Sequence, residues 1–297
     1  MSNVKHILGP MRVPFLILTP ACVLLGLGTA VWTHGGVSAL HFVLALVGAV
    51  AAHISVNAFN EYFDFRSGLD FKTQRTPFSG GSGTLQEKPE LSRQALATAI
   101  VSLVIVCLVG VYFLWVRGLS LLPLGLVGAL LLVIYTPWLA HDSLLCLIAP
   151  GLGFGTLMVV GTHFALTGEY SGTAFVASLV PFFLVSNLLL LNQFPDVEAD
   201  RSVGRKNFPV AIGRKASSLI YGAFLLLAFV SIVVGVLLDY LPKASLLGLV
   251  ALAAAIPAAV GAYRFADDIK KLVPYMGLNV LVNIATPVLV AVGLFVG

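Results

Sequence analysis

Two segments concentrate carboxylates in a chain that is only 10% charged. The first is Asn60-Glu61-Tyr62-Phe63-Asp64, followed by Asp70; the second is Asn192-Gln193-Phe194-Pro195-Asp196, followed by Asp200. In each, an Asn stands four residues before an Asp, a spacing that shares one face of a helix. Basic residues and a proline come next in both: Lys72, Arg75 and Pro77, then Arg205, Lys206 and Pro209. Two halves of similar design suggest two walls of one site. If those walls meet, Glu61, Asp64, Asp70, Asp196 and Asp200 repel one another. Mg²⁺ relieves the repulsion, because it takes hard oxygen ligands and keeps positions open for phosphate oxygens. Arg and Lys then hold the remaining phosphate charge. The chemistry this implies is a diphosphate bridged by metal; the competing reading is a pair of salt-bridged loops at a membrane interface.

The elements that must carry these residues are membrane helices. Of 297 residues, 59% are apolar, outside the range of a soluble globular domain. A span takes about 20 apolar residues, and the sequence offers nine such runs, near 13–33, 38–60, 94–115, 119–139, 144–167, 172–193, 217–239, 244–264 and 272–296. The first run is longer than the apolar part of a signal peptide and is read as a retained helix. Lys and Arg divide fifteen to two between alternate sides, only Arg117 and Lys243 lying on the second. That asymmetry predicts an N-terminus inside and a C-terminus outside. The expected architecture is all-α, nine transmembrane helices around a central cavity in one domain, 1–297, with inner-face loops 60–93 and 194–216. The expected location is a bacterial plasma membrane, with the site facing the cytoplasm. The positive-inside rule accounts for the net charge of +4, so nucleic acid is not an expected partner. Cys22, Cys107 and Cys146 lie in apolar runs without metal or redox spacing and read as reduced packing residues.

Direction adds a constraint. An Asp at the centre of a membrane helix costs roughly 2.5–3.5 kcal/mol on insertion scales and less near the interface. The second and sixth runs both travel from outside to inside, so Asp64 and Asp196 fall near helix C-termini, where the macrodipole disfavours a carboxylate. A positive group must compensate.

These segments resemble the UbiA superfamily of membrane prenyltransferases. Its Asn-Asp-x-x-Asp signature with a downstream Asp is similar to residues 60–64 leading to Asp70, and its Asp-x-x-x-Asp is similar to residues 196–200. Glu61 stands where that family usually has Asp. Asn192, Asp196, Asp200, Gly204 and Lys206, together with GTHFALTG at 161–168 and the Gly68-Leu69-Asp70 ending, resemble the 1,4-dihydroxy-2-naphthoate prenyltransferases of menaquinone synthesis. The resemblance implies Mg²⁺-dependent transfer of a polyprenyl group from an allylic diphosphate to an aromatic acceptor within the lipid bilayer. It implies Asn60, Glu61, Asp64, Asn192, Asp196 and Asp200 as metal ligands, direct or through water. Arg66, Lys72, Arg75, Arg201 and Lys206 become candidates for the diphosphate oxygens, Arg75 and Lys206 first. Asp70 and Asp200 are each open to metal binding or to taking a proton from the acceptor hydroxyl. Tyr62, Phe63, Tyr135 and Trp138 can shield an allylic cation, or form an interfacial belt, and Asn57 shares the face of Asn60. Other acceptors within the family are 4-hydroxybenzoate, haem, a chlorophyll precursor and a glycerol phosphate. Outside it stand a secondary transporter with an acidic site and a non-catalytic membrane scaffold.

FSGGSGTL at 78–85 lacks the Lys-Ser/Thr ending of a phosphate loop and reads as a lid or linker. His53, His163, Asn187, Asn279 and Asn283 read as hydrogen-bonding links between helices, and His34 and His41 as ordinary loop residues. His141 and Asp142 are further candidates for acceptor binding.

Overall fold

A computed structural model describes residues 8–297. Lys5, one of the fifteen basic residues assigned to the inner side, lies outside the described residues. Among those residues the fold is all helical: α1 (Leu18–His34), α2 (Ala39–Ser67), α3 (Ser92–Arg117), α4 (Leu122–Ile134), α5 (Ser143–Gly151), α6 (Met158–Thr167), α7 (Gly172–Asn192), α8 (Arg214–Leu237), α9 (Leu252–Arg264) and α10 (Ile269–Val296). With the turns that extend them, eight helices among the described residues are long and apolar enough to cross a membrane. The fourth predicted run differs. It forms a shorter apolar helix, Leu119–Ile134, and Pro137, which has no amide donor to continue the ladder, lies three residues past its end.

Helix α2 runs two turns beyond its expected end, so the first motif lies on the helix and not in a loop. Gly68 ends it in the left-handed conformation, φ 76°, with its amide bonded back to Asp64 and Phe65 carbonyls. The chain reverses there, and Leu69–Phe71 forms a single tight turn that buries Asp70. Helix α7 ends at Asn192, and Asp196 follows across an irregular turn before the short helix Val197–Ser202. The second motif therefore matches the first in spacing but not in backbone.

Between α5 and α6 the chain forms a π-helical segment, Leu152–Leu157. Pro150 lies just before it, and Gly151 and Gly155 press against α7. A Cβ on Gly155 would lie 2.4 Å from the Phe182 backbone nitrogen. Such segments recur at functional sites because they redirect side chains; this one brings Phe154 to 4.6 Å from the His53 ring, centroid to centroid.

The expected polar links largely hold. Thr19 pairs with His53 at 2.8 Å and Thr29 with His163 at 3.0 Å; Asn187 donates to the Tyr221 carbonyl at 2.7 Å, and Tyr221 to Asn279 at 3.1 Å. Asn283 is an exception, since it donates to Asn279 one turn earlier on its own helix. His34 and His41 close α1 and open α2 instead of sitting in a loop.

A candidate diphosphate site joining the two motifs

A cavity of about 620 Å³ opens among α1, α2, α3, α4, the α5–α6 span, α7 and α10. On α2 its lining follows Ala45, Gly48, Ala49, Ala52, Val56, Asn57, Asn60 and Asp64, the three-and-four spacing of a single helix face. Small residues along that face leave a groove roughly 28 Å long, at about 1.5 Å per residue, running from apolar surroundings to the acids. Leu124, Gly128, Leu131 and Leu132 of α4 form part of the opposite wall. At the other end the motifs meet: Asn60, Asp64, Asp70, Asn192, Asp196 and Asp200 all line the same space.

Two arginines compensate the acids. Arg205 reaches Asp64 with one guanidinium nitrogen and Asp200 with the other, at 3.3 Å, bridging the first motif to the second. Asn207 donates to the second Asp200 oxygen at 2.6 Å and caps the helix Phe208–Ile212 through the Val210 amide. Arg12, in the turn before α1, donates to Asn60 at 2.9 Å and to Glu61 at 3.0 and 3.2 Å. Both arginines line the cavity. For Asp64 the positive group required by the helix-end argument is Arg205, 141 residues away, whereas Asp196 has no ion-pair partner among the described residues and keeps an unpartnered oxygen.

Protonation follows from burial and crowding. Burial, with repulsion from Asp64 and Glu61, pushes the Asp70 carboxyl up to about 7. Burial and the Asp200 charge push Asp196 up to about 8. Asp200 is also raised by burial, with Arg205 and Asn207 opposing. Burial works against the charge on Arg205, but Asp64 and Asp200 outweigh it and hold the guanidinium above its ordinary value.

The donor set fits a hard cation. Asp70 Oδ2, Asn192 Oδ1 and Asp196 Oδ1 are buried oxygens without a hydrogen-bond partner, an arrangement that a cation satisfies. No group of three or more His, Cys, Asp or Glu among the described residues forms a ready-made metal cage.

Several sequence expectations fall outside the cavity. Glu61 is fully buried but faces Arg12 and Ser82, so its oxygens are already taken. Arg66, Lys72, Arg75, Arg201 and Lys206 are exposed and do not line the space. Arg201 pairs with Glu198 at the surface, and Arg75 donates to the Ser82 carbonyl at 2.5 Å. Tyr62, Phe63 and Trp138 are also absent from the lining, whereas Tyr135 is present. Asp142 caps α5, and neither it nor His141 reaches the cavity. Asn57 lines the wall while donating to the Met11 carbonyl at 3.0 Å. Cys107 lines the apolar part, and all three cysteines are free.

Sequence reasoning passed over Arg12, Arg205, Asn207, Phe78 and Phe154 as site residues. The positive-inside rule absorbed Arg12, and Arg205 stood in the motif pattern without being chosen over Lys206. The glycine-rich strap lies over the polar end, with Phe78, Ser79, Gly80 and Gly81 in the lining, as a lid would.

The profile described as the UbiA prenyltransferase family matches residues 19–295. A 1,4-dihydroxy-2-naphthoate octaprenyltransferase from Bacillus subtilis (strain 168) is 28% identical over 213 residues, covering 71% of this chain and 67% of that one. The protein of the same name from Mycobacterium leprae (strain TN) is 29% identical, covering 69% and 68%. Among solved structures, a UbiA homolog from Archaeoglobus fulgidus bound to GPP and Mg²⁺ superposes with a TM-score of 0.65 at 17% identity, over 97% of this chain and 99% of that one. At that identity the likeness establishes the shared fold.

Proposed function

The chain belongs to the UbiA prenyltransferase family, and from that premise we propose that it transfers a polyprenyl group from an allylic diphosphate to an aromatic acceptor, with Mg²⁺. A hydroxylated naphthoate is the leading acceptor, supported by the names of two relatives. The observation that carries the reading is the union of both acid motifs, through Arg205, at the polar end of one long apolar groove.

In this reading the groove holds the prenyl chain and the polar end holds its diphosphate. Mg²⁺, when bound, would neutralise the departing diphosphate as a Lewis acid; of Asp64, Asp70, Asn192, Asp196 and Asp200, one or two carboxylates would hold it directly and the others through water. Asn60, expected as a metal ligand, instead accepts from Arg12 through its one oxygen and holds that cation at the polar end. Arg12 and Arg205 take the role first given to Arg75 and Lys206: as cations they bind diphosphate oxygens and stabilise the charge that develops there. The apolar walls exclude water from the allylic cation. Tyr135, which lines the cavity, would be the aromatic residue to shield it. Asp70 has one free oxygen, which serves either the metal or, as the alternative, proton removal from the acceptor hydroxyl, but not both. The site then faces the cytoplasm of a bacterial plasma membrane, in the orientation set by the basic loops.

The test is a product assay by mass spectrometry on purified protein, with one allylic diphosphate, Mg²⁺, and a panel of naphthoate, benzoate and polyol phosphate acceptors. A prenylated naphthoate is expected. Product with only a polyol phosphate would reject the aromatic acceptor, and no product from any pair would reject the reaction.

A further inference from the structure

Glu61 is fully buried beside the cavity without lining it. Its carboxylate is a junction of three segments. Arg12 donates to Oε2 from two nitrogens, at 3.2 and 3.0 Å. The Ser82 amide stands 3.0 Å from Oε1 and 3.1 Å from Oε2, and the Ser82 hydroxyl donates to Oε1. One side chain on α2 therefore ties the turn before α1 to the glycine-rich strap.

The surrounding backbone fits this junction closely. Arg12 takes the left-handed conformation at φ 51°, unusual and costly for a residue with a side chain. A Cβ on Gly9 would lie 2.0 Å from Thr84 Oγ1, so the N-terminal turn rests directly on the strap. Gly81, at φ 70°, lies where a Cβ would be 3.1 Å from Asp70 Oδ1 and 3.4 Å from Glu61 Oε2. The strap thus passes over both acids, with Phe78 and Gly80 turned to the cavity.

We propose that Glu61 is a positioning residue: it clasps the strap, residues 78–84, to the turn before α1 and thereby keeps the polar end covered and Arg12 aimed into it. The effect on substrate rests on the reading of that end as a diphosphate site; the clasp itself does not. Arg12 fixes the carboxylate, and the carboxylate fixes Ser82. Loss of Glu61 frees the strap and leaves Arg12 bonded only to Asn60.

Hydrogen exchange on the full-length protein in detergent reads the clasp without activity. In Glu61→Ala, exchange across residues 78–84 should rise on the order of tenfold or more, the loss expected for charge-assisted bonds, while α7 stays unchanged. Glu61→Gln, whose amide oxygen still accepts from Ser82, should recover part of the protection. Unchanged exchange across 78–84 in Glu61→Ala would overturn the proposal. Should α7 also loosen in that variant, Ser82→Ala decides: faster exchange confined to the strap supports the clasp, and no change overturns it. In an active enzyme, Glu61→Ala should raise KM for the allylic diphosphate about tenfold with little change in kcat, and Glu61→Gln, whose oxygen keeps Ser82 while its amide NH2 faces Arg12, should restore only part of it; an unmoved KM contradicts the clasp. A wild-type chain that yields no product refutes the prenyl-transfer reading, and the exchange data still decide the clasp.

Discussion

Arg205 and Asp64 are 141 residues apart in sequence and form an ion pair at the polar end of the cavity. The same guanidinium holds Asp200 at 3.3 Å, so one cation fastens the two acid motifs together. In the proposed reading, diphosphate bound there would meet a positive charge already flanked by two of the acids proposed to hold its metal.

Asp64→Asn and Asp196→Asn should each lower kcat by at least about 10²-fold, the scale of losing a charge-stabilising group in a site shielded from water. Both variants should remain folded, since the amide is nearly isosteric. Purified protein with a wild-type melting profile and near-normal turnover in either variant would remove that residue from the site.

Arg205→Ala should raise KM for the allylic diphosphate and also lower Tm. It strands two buried carboxylates, a change of about 3–5 kcal/mol when a buried pair loses one partner. Arg75→Ala should leave the apparent affinity within about twofold, because an exposed cation in high dielectric contributes little. The opposite ranking in steady-state kinetics would return the diphosphate to the surface basic residues.

Asp70 and Asp196 set a pH dependence. Their folded values, about 7 and about 8, lie above the ordinary 3.8, so the folded state binds more protons than the unfolded one across that window. Their stabilising contribution is full below about 3.8 and is lost as pH rises through 7 to 8. Metal-free protein should therefore show falling Tm from pH 5 to 8. Mg²⁺ with inorganic pyrophosphate should bind more tightly at the upper end, where the ligands are deprotonated, and reverse the trend. A Tm that rises with pH without metal would contradict the assigned protonation.

Ala49→Phe should obstruct the groove partway along α2, where the lining is built of small residues. Long polyprenyl diphosphates should lose kcat/KM by on the order of tenfold, the effect of overpacking by 1–3 kcal/mol, while a single-isoprene donor is spared. Equal losses for both donors, measured in parallel, would show that the chain does not lie along this face.

The acids were legible because their spacing on α2 obeys helical geometry: Asn60 and Asp64 share a face and both reach the cavity. Asn192 and Asp196 also converge, but across a turn after α7, so the spacing succeeded there for a different backbone reason. Arg12 was hidden because its partners, Asn60 and Glu61, are brought to it by packing between distant segments; for Arg205 the local partner Asp200 was within reach of a spacing argument, and the distant one, Asp64, was not. Exposed Arg75 and Lys206 look equivalent to them in sequence. The groove was present as Ala45, Gly48, Ala49 and Ala52, yet small residues at this spacing also describe close helix packing. Leu119–Ile134 looked like a full span because the apolar run continues past Pro137, a residue tolerated within other membrane helices, although the helix stops at Ile134.

The most direct test is calorimetric titration of an allylic thiodiphosphate, a poorly reactive donor analogue, into wild-type, Asp64→Asn and Asp196→Asn protein, each with Mg²⁺ or with excess chelator. A single site built from both motifs predicts binding to wild type that requires Mg²⁺ and is lost in both variants. Binding that survives the chelator, or that is lost in only one variant, would contradict it.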